Sequence, residues 1–286
     1  MFPRSGRLPA VVWSGLLAFG LTVVAGGIWT VLLVANLTTS PALPWAPGVM
    51  ALLLWGMWQY LGGHGGPPGT AAARRRYLRA TPVSRPVFAW AVLAGGLAIV
   101  ALAGYWIVLV QLVPIPGHVL PDYSRYPLLT VVLVLGMSAL VSALAEEAGF
   151  RGYFQGVLER TGRGPAAIVL AALLIAPAHA LTQGFGWPTM LWYFAVDVMF
   201  GVLAYLTQSI LPGSVVHILG LLTFFTLVWP ADPQRGRVWE TGADSWFWLY
   251  AAQALLGTVL ALLAFRRLAW VTQRERGGGG PGALPP

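Results

Sequence analysis

Cysteine and lysine are absent from this chain, and asparagine occurs once, at position 36. Without cysteine there is no disulfide framework, no thiolate metal site and no cysteine nucleophile. Charge of either sign is scarce: nine acidic residues and 17 arginines in 286 positions. Only 9% of residues are charged, against about a quarter in a soluble domain. Long polar segments are also missing, the longest running about 20 residues, so there is no room for a sizeable soluble domain. No internal repeat is evident, which argues against an inverted-repeat transporter. The positive balance does not point to nucleic acid, because the arginines gather at the ends of apolar runs, where they orient a protein against a membrane surface.

What the chain has in quantity is apolar sequence, 57% of all residues. Stretches of 18 or more apolar residues recur and mark membrane helices, and eight spans are expected in all, some of them shorter: 11–37, 45–61, 87–112, 126–148, 165–181, 188–210, 214–229 and 246–265. The fold class is therefore all-α, a polytopic membrane protein of about eight transmembrane helices. Arg4 and Arg7 precede an apolar stretch, Pro9 to Leu37, that is too long for the core of a signal peptide and reads as a retained first span. The chain divides into N-terminal membrane helices without motif (1–125), a core (126–229), and a last helix with a disordered tail (230–286). Arg74, Arg75, Arg76 and Arg79 follow the second span, Arg160 and Arg163 the fourth, and Arg266, Arg267, Arg274 and Arg276 the eighth. The positive-inside rule then puts these loops and both termini in the cytoplasm, in a multi-pass protein of the cell membrane. The partner implied by this pattern is membrane lipid.

The most informative stretch is Glu146-Glu147-Ala148-Gly149-Phe150-Arg151, at the end of an apolar run in a chain with so few acids. Adjacent carboxylates in or beside a bilayer are costly and mark a functional site. The other polar groups within the expected spans are His179, Asp197 and His217. Spans four and five read as an antiparallel hairpin turning at Thr161-Gly162-Arg163-Gly164, where glycine stops one helix and permits a tight turn. Reflection about that turn puts Glu146 and His179 at one depth, both about 21–25 Å from it. His217 lies about 6–9 Å past the next turn, Leu211-Pro212-Gly213, and reaches the same level if the hairpin projects into the cytoplasm. Glu147 and Arg151 have the favoured i,i+4 order for an ion pair. That pair could equally be a helix clamp alone. Glu146 points about 100° away with no local cation, which suits a general base that takes a proton from water and returns it to a leaving amine. Asp197 has no evident partner. His64 and His118 fall in loops and are read as solvated.

These residues resemble the CPBP family, which comprises the type II CAAX prenyl endopeptidases and the bacteriocin-processing or Abi proteins. The resemblance rests on Glu146-Glu147-x-x-x-Arg151, on His179 about 30 residues later, and on Phe194, Phe200, Gly201 and Tyr205 leading to His217, and it covers residues 130–225. It implies an intramembrane endopeptidase that cuts a membrane-associated peptide, lipidated or not, near the cytoplasmic face. Glu146 would activate water, His179 would assist or bind a metal, and His217 would bind a metal or stabilise the oxyanion. Glu147 and Arg151 complete the catalytic set. A zinc ion on His179, His217 and Glu147, with one open position, and glutamate acting without metal are both compatible with the motif. The chain departs from the family pattern twice. Ile175 replaces a phenylalanine, an apolar exchange. Leu221 replaces the asparagine or aspartate expected four residues after the last histidine. Losing an oxyanion donor costs about 100- to 1000-fold in rate. Reflection about residues 211–213 nominates Thr207 or Gln208 as a substitute near His217. The alternative is a catalytically impaired member acting as an immunity or partner-binding protein.

Overall fold

The computed structural model of the protein describes residues 4–115, 122–183, 186–234 and 236–277. In hydrocarbon a backbone can satisfy its polar groups only within itself, and the described residues accordingly form helices without a strand. In chain order they are α1 (Arg4–Thr39), α2 (Trp45–Leu61), α3 (Ala71–Leu78), α4 (Arg85–Leu112), α5 (Leu128–Glu146), the short α6 (Gln155–Leu158), α7 (Gly164–Gln183), α8 (Trp187–Thr207), α9 (Leu211–Thr223), the short α10 (Val238–Thr241) and α11 (Ser245–Gly277). Six helices among the described residues are long and apolar enough to cross a membrane. The expected count of eight also included α2, which has 17 residues, and α7, which has 20. The tail beyond residue 277, His118 and Arg235 lie outside the described residues.

Large apolar side chains such as Leu16, Val24 and Val31 on α1, and Leu255 and Leu262 on α11, stand exposed on the outer faces. Such a surface is stable only against lipid. Inside, one apolar cluster joins α4, α8, α9 and α11 around Trp106, Phe200, Leu203 and Leu268. A second joins α1, α2 and α5 around Trp29, Met50 and Val134. Small residues bring α4 and α11 close: Gly104 lies on Ala254 and Gly257 on Ala101, the packing expected where helices associate without a hydrophobic driving force.

The hairpin expected between the fourth and fifth spans is present, with one elaboration. After Glu146 the helix widens into π-helical turns over Glu147–Phe154, passes through α6, and widens again over Glu159–Arg163. Gly162 then takes φ 85° and reverses the chain into α7, a conformation that glycine adopts without steric cost.

Two arginines of the loop after α2 do more than mark the membrane surface. Arg74 is buried and donates to the Tyr60 carbonyl at 2.7 Å and the Gly65 carbonyl at 2.9 Å. Arg79 is buried as well; it pairs with Glu159 at 3.2 Å and donates to the Ala204 carbonyl at 3.1 Å. Its own carbonyl accepts from Ile210 N at 3.1 Å, so this loop ties the hairpin to the α8–α9 turn. The one asparagine, Asn36, is fully buried and bonds Ser40 O, Leu43 O and Ala46 N, each at 2.9 Å, which fixes the α1–α2 turn.

Candidate active site

Glu146 ends α5 and Glu147 opens the π-helical turns that follow. A π-helical insertion shifts the facing of each later residue and is frequent at functional sites. Here it lets the neighbouring carboxylates serve different partners. Glu147 is completely buried: its Oε1 lies 3.2 Å from His217 Nδ1 and 3.7 Å from Arg151 Nε. Its other oxygen lies against the first turn of α9, where a Cβ added to Gly213 would stand only 2.8 Å away. The positive end of a helix dipole favours a carboxylate there. Substituting Gly213 by alanine is therefore expected to displace Glu147 and to cost about 1–3 kcal/mol, read as earlier thermal unfolding in detergent. An unchanged transition would show that Glu147 is not held against α9.

Arg151 turns back under the cluster. Its Nη2 donates to Asp197 Oδ1 at 2.5 Å, and its guanidinium lies over the Phe200 ring, 5.5 Å from the centroid. The second oxygen of Asp197 faces His179 Nε2 at 3.9 Å. The His179 ring stacks on Tyr193, with centroids 4.0 Å apart, and the His217 ring stacks on Phe200 at 4.3 Å. His217 Nε2 stands 3.8 Å from Glu146 Oε2. Donor atoms of Glu146, His179 and Asp197 come within 4.8 Å of one another. The six ionisable groups thus close a ring: Glu146, His217, Glu147, Arg151, Asp197, His179, and back to Glu146.

On one side of this ring is a cavity of about 510 Å³, lined by Glu146, His179, Asp197 and His217. Its walls are mostly apolar and aromatic, with Trp29, Trp192 and Phe224 among them. Glu146 and His179 keep 10% and 20% of their side chains exposed, whereas Glu147 and Arg151 are closed off. The first two can meet a substrate; Glu147 and Arg151 act on it only through their neighbours.

Every residue expected at the site from the sequence is in this cluster, but not in the expected grouping. The metal set His179, His217 and Glu147 is not brought to one point, because Glu147 binds His217 and Arg151 while His179 faces Asp197. Asp197, read as lacking a partner, has two. Neither Thr207 nor Gln208 replaces the missing amide near His217. Thr207 Oγ1 donates to Leu203 O at 2.7 Å, and Gln208 Nε2 to Tyr205 O at 2.7 Å. Leu221 lies in the cavity wall and offers it no polar atom. The motif-free α1 also lines the cavity, through Thr22, Gly26 and Thr30. Its signal in the sequence is the i,i+4 spacing of those three residues, repeated on the adjacent α5 by Ser138, Ser142 and Glu146, which also line the cavity. Such a stripe of small and polar residues on an otherwise apolar helix marks a face turned from lipid.

Residues 128–223 match the family model described as type II CAAX prenyl endopeptidase Rce1-like. The matched segment runs from α5 through α9. It contains every ionisable group of the ring, and it bears out the resemblance read from the Glu-Glu-x-x-x-Arg motif and the two histidines. No curated protein and no solved structure matches the chain.

Proposed function

We propose that the protein is an intramembrane endopeptidase of the CAAX type, cutting a membrane-associated peptide or protein in the cavity above Glu146. The observation that carries this reading is the opening of Glu146, His179, Asp197 and His217 onto one cavity inside the segment that matches an endopeptidase family. The arginine pattern supports cytoplasmic termini, with the site reached from that side of the cell membrane.

The chemistry follows from the geometry. An ionised carboxylate only accepts hydrogen bonds, so Glu147 fixes the His217 proton on Nδ1 and leaves Nε2 facing Glu146. Glu146 takes a proton from water as the water oxygen attacks the scissile carbonyl carbon. That proton lies between Glu146 Oε2 and His217 Nε2 until the C–N bond breaks, and then passes to the leaving amine. Glu147 and Arg151 keep this geometry, as the carboxylate orients the imidazole in a hydrolytic triad. His179 lines the same cavity and is assigned to the carbonyl oxygen. A zinc ion, when bound, would supply Lewis acidity to that carbonyl.

A second reading is favoured by Leu221, which puts an apolar side chain where the family pattern carries an amide or carboxylate: a protein that keeps the scaffold to bind a partner. The purified protein, offered a library of membrane-anchored peptides, decides between them. Hydrolysis by the wild type, lost when Glu146, His179 and His217 are replaced together, supports the peptidase. Cellular function that survives the triple replacement supports partner binding.

A further inference from the structure

We infer that Asp197 completes a divalent-metal site with Glu146 and His179, a site that excludes His217. The inference deepens the peptidase reading and rests on it only for the use of the metal, not for its binding.

Three observations carry it. First, one donor atom from each of Glu146, His179 and Asp197 lies within 4.8 Å of the other two. The 3.9 Å between His179 Nε2 and Asp197 Oδ2 has to shorten by about half an ångström, and separations of up to 4.8 Å by up to about 1.5 Å, for the three to ligate one tetrahedral ion. Second, Asp197 is 97% buried by its 3% exposure, and its Oδ2 accepts no hydrogen bond although it faces the cluster. A buried carboxylate oxygen left in this way costs free energy unless a charge-bearing partner meets it. Third, the charges do not balance. Among the described residues, the carboxylates of Glu146, Glu147 and Asp197 surround the single guanidinium of Arg151. Three carboxyl groups thus stand against one guanidinium, an excess of acid into which a further cation fits.

The roles divide along the two oxygens of Asp197. Oδ1 is held by Arg151 at 2.5 Å, which fixes the carboxylate plane and turns Oδ2 toward His179. This is the outer-shell arrangement that orients a metal-ligating carboxylate. His217 is engaged instead by Glu147 through Nδ1, and its Nε2 reaches Glu146 on the other side. One imidazole and two carboxylates suit a borderline ion such as zinc or cobalt better than calcium or magnesium, which take oxygen alone. Three protein ligands leave a position open to the cavity for water. The third ligand thus comes from Asp197 on α8 rather than from His217 on α9.

The test is cobalt binding by the full-length protein in detergent, stripped of metal and followed by the visible absorption of the bound ion. The wild type is expected to take up one cobalt ion per chain. The isosteric Asp197→Asn, which keeps an oxygen for Arg151, is expected to weaken uptake at least tenfold; His179→Gln is expected to abolish it. His217→Gln should bind within threefold of the wild type. Should Asp197→Asn fail to fold, His179→Gln carries the test, because that side chain is partly exposed and outside the Arg151 pair. No uptake by the wild type, undiminished uptake by His179→Gln or a folded Asp197→Asn, or a His217→Gln loss equal to that of His179→Gln overturns the site. Metal-free hydrolysis by a protein that takes up no cobalt would overturn this inference and leave the peptidase reading standing.

Discussion

Replacing Glu146 by glutamine lowers the rate of peptide cleavage by about 10²–10⁴-fold, while the protein still inserts and unfolds at close to its normal temperature. The size follows from position. Glu146 is a carboxylate of the cavity with part of its surface still open, so it is the group that can hold the water. Glutamine preserves its volume and its capacity to accept a hydrogen bond but cannot take a proton. Fold is spared because the buried ion pairs of the cluster run through Glu147, Arg151 and Asp197 instead. The check is initial cleavage rate at saturating peptide, with circular dichroism on the same preparation. A rate within threefold of the wild type would remove Glu146 from the chemistry.

The second large effect is on stability. Arg151→Met keeps most of the side-chain volume and deletes the cation that pairs with both Glu147 and Asp197. Breaking one partner out of a buried charged network costs about 3–5 kcal/mol, because the remaining charges are left uncompensated. The loss is expected as a lower midpoint in denaturing-detergent titration. Neutralising the stranded acids in the triple variant Arg151→Met, Glu147→Gln, Asp197→Asn should return a substantial part of it, since an uncharged buried cluster no longer carries that penalty. A single variant as stable as the wild type, or a triple variant no better than the single, would show that these charges do not stabilise the bundle. The outcome also separates the two readings of the Glu147–Arg151 pair. As a clamp alone, its loss slows cleavage only by unfolding. As the support of His217 and Asp197, its loss slows cleavage in molecules that remain folded.

The sequence was most legible where local rules and scarcity acted together. Two acids at the end of an apolar run, a glycine turn at 162 and a histidine equally far beyond it were enough to put Glu146 beside His179, and helical spacing was enough to pair Glu147 with Arg151. What was hidden depended on crossings between helices far apart in sequence. Asp197 meets Arg151 across 46 positions, and no periodicity within α8 announces it. The π-helical widening at Glu147 also escapes a reading at 3.6 residues per turn, yet it helps decide which partners each carboxylate meets. The reflection that nominated Gln208 failed because that residue leaves the helix: it has φ 54° and turns its amide back to Tyr205. Six of the expected spans coincide with the six long apolar helices among the described residues, and the other two correspond to α2, of 17 residues, and α7, of 20.

The most direct measurement is cleavage in water enriched in oxygen-18, using the protein in liposomes with a membrane-anchored peptide and mass spectrometry of the fragments. Hydrolysis at this cavity predicts two fragments from an internal peptide bond, with one heavy oxygen in the new carboxyl group, and neither fragment with the Glu146→Gln protein. An intact peptide with wild-type protein, or identical fragments at an equal rate from Glu146→Gln, would contradict it.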